Sequence, residues 1–120
     1  MIKTQYTSIT PYITKDGSRI RELMHPDVHG NRSVSLAEAT IDVGRKTVRH
    51  QHIRSEEIYH ITRGEGIMTL DDSRIPVQPG DTVCIPPGTS HQIENTGAVD
   101  LKVLCCCSPA YAHEDTVLIP

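Results

Sequence analysis

Turn signals recur along this sequence about every 8 to 15 residues, a spacing that suits short strands and little else. The runs they separate are Val34 to Val43, Arg45 to His52, Glu57 to Thr62, Gly66 to Leu70, Thr82 to Ile85, His91 to Glu94 and Val99 to Cys107, each rich in β-branched or alternating residues. The breaks are Gly44, Arg63-Gly64-Glu65-Gly66, Asp71-Asp72-Ser73, Gln78-Pro79-Gly80-Asp81, Pro86-Pro87-Gly88 and Asn95-Thr96-Gly97. Helical periodicity with caps is absent apart from a single turn near Asp27 to Gly30, and no internal repeat or heptad seam is visible. The expected architecture is an all-β barrel.

With 120 residues the chain suits one domain and one core, spanning 1–120. Four Tyr stand with no Phe and no Trp, so aliphatic side chains must build that core and a base-stacking surface is not expected. A net charge of −3 with interspersed signs gives no broad field for nucleic acid or an anionic membrane. Met1 to Thr10 lacks an apolar signal core, and no run approaches the roughly 20 apolar residues of a membrane span, so a cytoplasmic protein is expected.

Cys105, Cys106 and Cys107 are consecutive in an apolar run, an arrangement suited to reduced thiols in a strand rather than to cross-links. Strand parity puts Cys105 and Cys107 on one face and Cys106 on the other. At the N-terminus, Tyr6 to Ile13 and Ser18 to Met24 read as strands around the turn Lys15-Asp16-Gly17, packing on the barrel's outer surface or on a partner. The polar stretch Arg19 to Pro26 reads as a solvated edge strand or a flap over the barrel mouth. The tail ends in Val117-Leu118-Ile119, which needs cover. Both ends point to a homodimer.

His50 and His52, at i and i+2 on a strand, project from one face and can reach one ion. If Ile53 to Glu56 form a four-residue hairpin loop, Glu57 faces His52 from the returning strand. Glu56 competes with Glu57, but Glu57 begins the better inward alternation Glu57, Tyr59, Ile61. His91, after the Pro86-Pro87-Gly88 turn, is the candidate fourth ligand.

These residues carry a resemblance. Gly44-x5-His50-x-His52-x4-Glu57-x6-Gly64 is similar to the first signature motif of the cupin superfamily, and Gly80-x5-Pro86-x-Gly88-x2-His91-x3-Asn95 to the second. The motifs span 44–95, flanked by N-terminal strands in 1–43 and a C-terminal strand and tail in 96–120. The resemblance implies a double-stranded β-helix, or jelly-roll, barrel whose three His and one Glu bind Mn, Fe, Ni, Cu, Co or Zn. It also implies that dimers are common.

By the same parity Lys46, Val48 and Tyr59 are expected to face the interior with His50, and Leu101, Val103, Cys105 and Cys107 from the last long strand. Tyr59, Lys46 and Cys105 are therefore pocket candidates: a phenol for a bound molecule, a cation for an anionic one, and a thiol in the wall. His60 points outward; His25, His29 and His113 receive no role.

Three neutral imidazoles and one carboxylate leave a divalent ion with open positions for a small molecule. The first functional reading is a metal-dependent enzyme on a small oxygen-rich substrate: a dioxygenase-like enzyme, an isomerase or a decarboxylase. The alternative is a binding module that holds a sugar or other small molecule around a structural metal.

Overall fold

A computed structural model describes residues 1–120. In chain order the strands are β1 (Tyr12–Ile13), β2 (Arg19–Met24), β3 (Ser35–Ile41), β4 (His50–His52), β5 (Glu56–Arg63), β6 (Gly66–Leu70), β7 (Ser73–Val77), β8 (Thr82–Ile85), β9 (His91–Asn95), β10 (Leu101–Ser108) and β11 (Thr116–Leu118). Two antiparallel sheets face each other, one ordered β1-β2-β3-β10-β5-β8 and the other β11-β4-β9-β6-β7. This is the all-β jelly roll that the turn spacing and the motifs lead one to expect.

The core lies between the sheets. Ile61, Met68, Ile85, Ile93, Leu101 and Val103 are wholly buried there, an aliphatic filling in a chain without Phe or Trp. Leu101, Val103, Cys105 and Cys107 all point inward from β10, while Cys106 is half-buried on the other face and no disulfide forms. The one short helix, α1 (Pro26–His29), starts with the His25 ring accepting the Asp27 amide and stops at Gly30, whose φ of 82° is left-handed.

Several local expectations are corrected. β7 is absent from the strand runs expected from the sequence. It pairs with β6 through the tight Asp71-Asp72 turn, and its Pro76 is tolerated because β7 is a sheet edge. The N-terminal strands do not lie outside the barrel: β2 extends the six-stranded sheet beside β3, with Ile20 in the core. Tyr6 to Ser8 form a 3-10 turn rather than strand. The tail's β11 pairs with β4, while Val117 and Leu118 keep partly exposed side chains.

The largest correction concerns the segment around Glu57. β4 and β5 do not form a hairpin: β4 lies in one sheet between β11 and β9, and β5 in the other between β10 and β8. Ile53 to Ser55 therefore cross between sheets. Asp115 holds this crossing, its carboxylate accepting the amides of Arg54 at 3.0 Å and Ser55 at 3.1 Å. Burial alone would raise the Asp115 carboxyl; those amides outweigh it and hold it below the usual range.

Candidate metal centre

His50 and His52 stand on β4 and are both buried, as i, i+2 parity requires. His91 opens β9 directly opposite His50. Glu57 reaches the same point from β5 in the opposing sheet, so it meets the histidines across the barrel rather than along a ladder. It is buried, whereas Glu56 faces out beside Cys84.

Each imidazole is anchored through Nδ1. His50 donates to the Val48 carbonyl at 2.7 Å and His91 to the Thr89 carbonyl at 2.9 Å. His52 Nδ1 lies 3.0 Å from the Thr116 hydroxyl, which donates its own proton to the Ala112 carbonyl at 3.0 Å. A carbonyl cannot donate, and a hydroxyl with its proton committed can only accept. All three Nδ1 atoms therefore carry hydrogen, and in the neutral rings all three Nε2 atoms present lone pairs.

Those Nε2 atoms face one spot. The ligand atoms of His50, His52 and His91 lie within 4.8 Å of one another. Glu57 Oε1 is 3.1 Å from His52 Nε2 and 3.4 Å from His91 Nε2, while its Oε2 accepts the Cys107 thiol at 3.2 Å. His91 Nε2 is buried with no directed hydrogen-bond partner. A carboxylate oxygen facing imidazole lone pairs at this range is repulsive unless a proton or a cation lies between them. The three histidines form a group that could hold a metal ion, and atoms bound at about 2.1 Å to one ion stand ~3 Å apart when adjacent, which the 3.1 and 3.4 Å separations of Glu57 Oε1 from two of the rings approach.

Electrostatics agree. Burial alone would raise the Glu57 carboxyl, yet hydrogen bonds and positive charge from His52 and His91 hold it at about 2 when a proton occupies the space between them, the place that an ion would otherwise take. Burial and the neighbouring His91 push the His50 imidazole down, against the opposing pull of Asp16. Both effects favour the metal-binding forms, a carboxylate and a neutral ring.

The centre opens into a small cavity of about 40 Å³. Tyr59 and Cys105 line it, as parity anticipates, with the Tyr59 ring edge-on to His91 at 5.9 Å between centroids. Burial and the charge on Glu57 push both the Tyr59 phenol and the Cys105 thiol up, so each stays protonated. The Tyr111 ring closes on His52 at 5.8 Å.

Lys46 does not join them. It is exposed, its backbone forming an isolated antiparallel β-bridge with Glu94, and Val48 is exposed as well. Counting back from His50 fails because the segment leaves regular strand geometry: Thr47 bonds to Ile93, but the Val48 amide turns away to the Asp16 carbonyl. No lysine or arginine lines the cavity. His60 faces outward, bonded to the Thr82 hydroxyl.

Three residues at the site escape a reading of local pattern. Asp16, at the tip of the β1–β2 hairpin, lies 3.6 Å from His50 Nε2, and Glu22 and Tyr12 form a 3.1 Å hydrogen bond at the cavity wall. Asp16 has a turn signature alone, and nothing local says that the turn reaches a histidine.

Comparison with known proteins agrees with this architecture. The profile of the cupin domain matches residues 37–107. An uncharacterized protein of Methanocaldococcus jannaschii is 56% identical over 119 residues, covering 99% of this chain and 95% of that protein. The oxalate-binding protein of Thermotoga maritima is 34% identical over 84 residues, covering 70% of this chain and 65% of its own length. Among solved structures, a predicted oxalate decarboxylase from Thermotoga maritima has a TM-score of 0.77 at 28% identity, covering 88% of this chain and 96% of that one. The Streptomyces nucleoside dehydratase Pac13, solved with uridine, shares the fold with a TM-score of 0.80 at 16% identity, covering 98% and 90%. Two complete motifs, the matching profile and the two-sheet barrel together make this chain a member of the cupin family.

Proposed function

We propose that this chain binds one divalent transition metal through His50, His52, Glu57 and His91, and that it acts as a metal-dependent enzyme on a small, oxygen-rich molecule. One observation carries the reading: three Nδ1-anchored imidazoles aim their Nε2 lone pairs, with a buried carboxylate, at one point in a small cavity. When bound, the ion supplies a Lewis acid that polarises an oxygen of the bound molecule or acidifies its neighbouring proton.

The chain's own residues supply the rest. Val48, Thr89 and Thr116 hold the rings in position, Tyr59 and Tyr111 wall the cavity against water, and Glu57 keeps its charge. The protonated Tyr59 phenol and Cys105 thiol serve as hydrogen-bond donors rather than nucleophiles. A cavity wall without lysine or arginine disfavours sugar phosphates, which call for a basic cluster. The oxalate-binding and predicted oxalate decarboxylase names found in Thermotoga maritima make small carboxylates the first class to test.

The test is elemental analysis of untagged protein beside the His52→Ala variant, followed by a screen of oxalate and small hydroxy acids with an oxygen electrode and carbon dioxide detection. Near-stoichiometric metal in the wild type and its loss in His52→Ala are expected; full occupancy in the variant refutes the ligand set. Oxygen uptake selects an oxygenase, carbon dioxide without uptake a decarboxylase, and turnover with neither an isomerase.

A second reading, a non-catalytic small-molecule binding module, is favoured by the relative named for binding oxalate rather than for turning it over. Saturable binding without turnover across the screen would select it. A homodimer belongs to either reading, supported by exposed Ile13 at one sheet edge and Val117 at the other; light scattering at a single monomer mass would refute it.

A further inference from the structure

Asp16 is a carboxylate that the two cupin motifs do not account for. It sits at the tip of the β1–β2 hairpin with its side chain only 12% exposed. Its Oδ1 accepts three hydrogen bonds, from the Thr14 hydroxyl at 2.9 Å, the Ser18 amide at 2.9 Å and the Ser18 hydroxyl at 2.6 Å. Its Oδ2 has none of these and points at His50 Nε2, 3.6 Å away.

The hairpin tip is fastened to the metal-facing strand. The Asp16 carbonyl accepts the Val48 amide at 2.8 Å, and the Val48 carbonyl accepts His50 Nδ1–H at 2.7 Å, so Asp16, the Val48 peptide and the His50 ring form one connected unit. Lys15 pins the turn from the other side by donating to the Thr116 carbonyl at 2.8 Å, next to the hydroxyl that holds His52. A carboxylate with one oxygen immobilised and the other aimed at an imidazole lone pair raises the same question as Glu57: two acceptors face each other at close range.

We propose that Asp16 is a fifth protein ligand of the metal centre, bound through Oδ2. This rests on the metal reading above and extends it. The separation of 3.6 Å lies within the ~4.2 Å that two donors on one ion can span, and a shift of about 0.6 Å brings Oδ2 to the ~3 Å of adjacent donors. Glu57 approaches from the side of His52 and His91, and Asp16 from the side of His50, so the carboxylates arrive from different directions. Two carboxylates and three neutral imidazoles make a dication neutral overall, and an octahedral ion keeps about one exchangeable position instead of two. A chelating dianion must then displace Asp16, whereas a neutral molecule or one binding through a single oxygen need not.

The test uses Mn(II) on full-length wild type, Asp16→Asn, His52→Ala and, as an exposed control, Asp72→Asn. Calorimetry gives affinity, and water-proton relaxation counts the exchangeable waters on bound Mn(II). Asp16→Asn keeps the Oδ1 acceptor and so preserves the turn. The expected result is about one exchangeable water in the wild type, about two in Asp16→Asn, and affinity weaker by about tenfold or more in that variant, with Asp72→Asn unchanged. Two waters in the wild type overturn the proposal without reference to any variant. So does an Asp16→Asn protein of unchanged affinity and water count, or one of weaker affinity with no added water. A wild type that binds no Mn(II), Fe(II), Co(II) or Zn(II) overturns both this and the four-ligand reading, whereas metal bound and then lost only in His52→Ala overturns Asp16 alone.

Discussion

His52 Nε2 and Glu57 Oε1 stand 3.1 Å apart although their strands belong to different sheets. The pair brings β4 and β5 together at a point where they share no backbone ladder. Its geometry depends on how the two sheets pack, and the short connection between β4 and β5 is held at Arg54 and Ser55 by Asp115.

Substitution of the two adjacent glutamates separates buried donor from surface charge. Glu57→Gln is expected to weaken metal binding by more than about tenfold, because it removes a buried anionic oxygen, while Glu56→Gln changes it less than about twofold. Calorimetric titration with Mn(II) or Co(II) checks the pair, and equal losses would mean that Glu57 is not a ligand.

Thr116 lies far from His52 in sequence and holds its Nδ1–H. Thr116→Val keeps the shape and removes the acceptor, so metal affinity should fall about 10- to 100-fold while the fold persists. Circular dichroism beside the titration distinguishes this from general loss of structure.

Asp115 supplies a pH dependence whose sign follows from its depressed carboxyl. Its hydrogen bonds from Arg54 and Ser55 contribute stability that is fully present above the unfolded carboxyl value near ~3.9 and is lost as pH falls through the lower folded value. Acid titration of the metal-free protein should therefore show a fall in stability below about pH 4 that Asp115→Asn flattens. Urea unfolding midpoints measured from pH 6 down to pH 3 would reveal it; parallel curves would contradict it.

Gly66 begins β6 where a side chain has no room. A Cβ there would collide with the Glu94 carbonyl oxygen and stand 2.9 Å from a Leu101 methyl. Gly66→Ala should cost on the order of 1 to 3 kcal/mol by forcing β6 away from β9. Gly97→Ala, where the nearest atom is 3.4 Å away, should cost less; denaturant melts of both give the comparison.

The strands and their inner faces were legible in the sequence because parity is local. Alternation along one strand fixes which residues share a side, and that is enough to put His50 with His52, Glu57 with Tyr59 and Ile61, and Cys105 with Cys107. Parity failed at Lys46 because the chain departs from strand geometry before β4 and the Val48 amide turns to Asp16. Strand β7 was missed since Pro76 obscures an edge strand, where it costs no ladder bond.

Partner choice was not legible, because hydrogen-bond ladders are chosen by long-range packing. A four-residue gap suits a hairpin and a sheet crossing equally, so the sequence by itself left open that β4 joins β9 and β11 while β5 joins β10 and β8. By itself it determined an all-β cupin barrel with His50 and His52 on one face of one strand. Only the tertiary structure decided that Glu57 meets them from the opposite sheet, that His91 lies across from His50, and that Asp16 arrives beside it from the N-terminal hairpin. Those meetings depend on how two sheets close around one cavity, which no local spacing encodes.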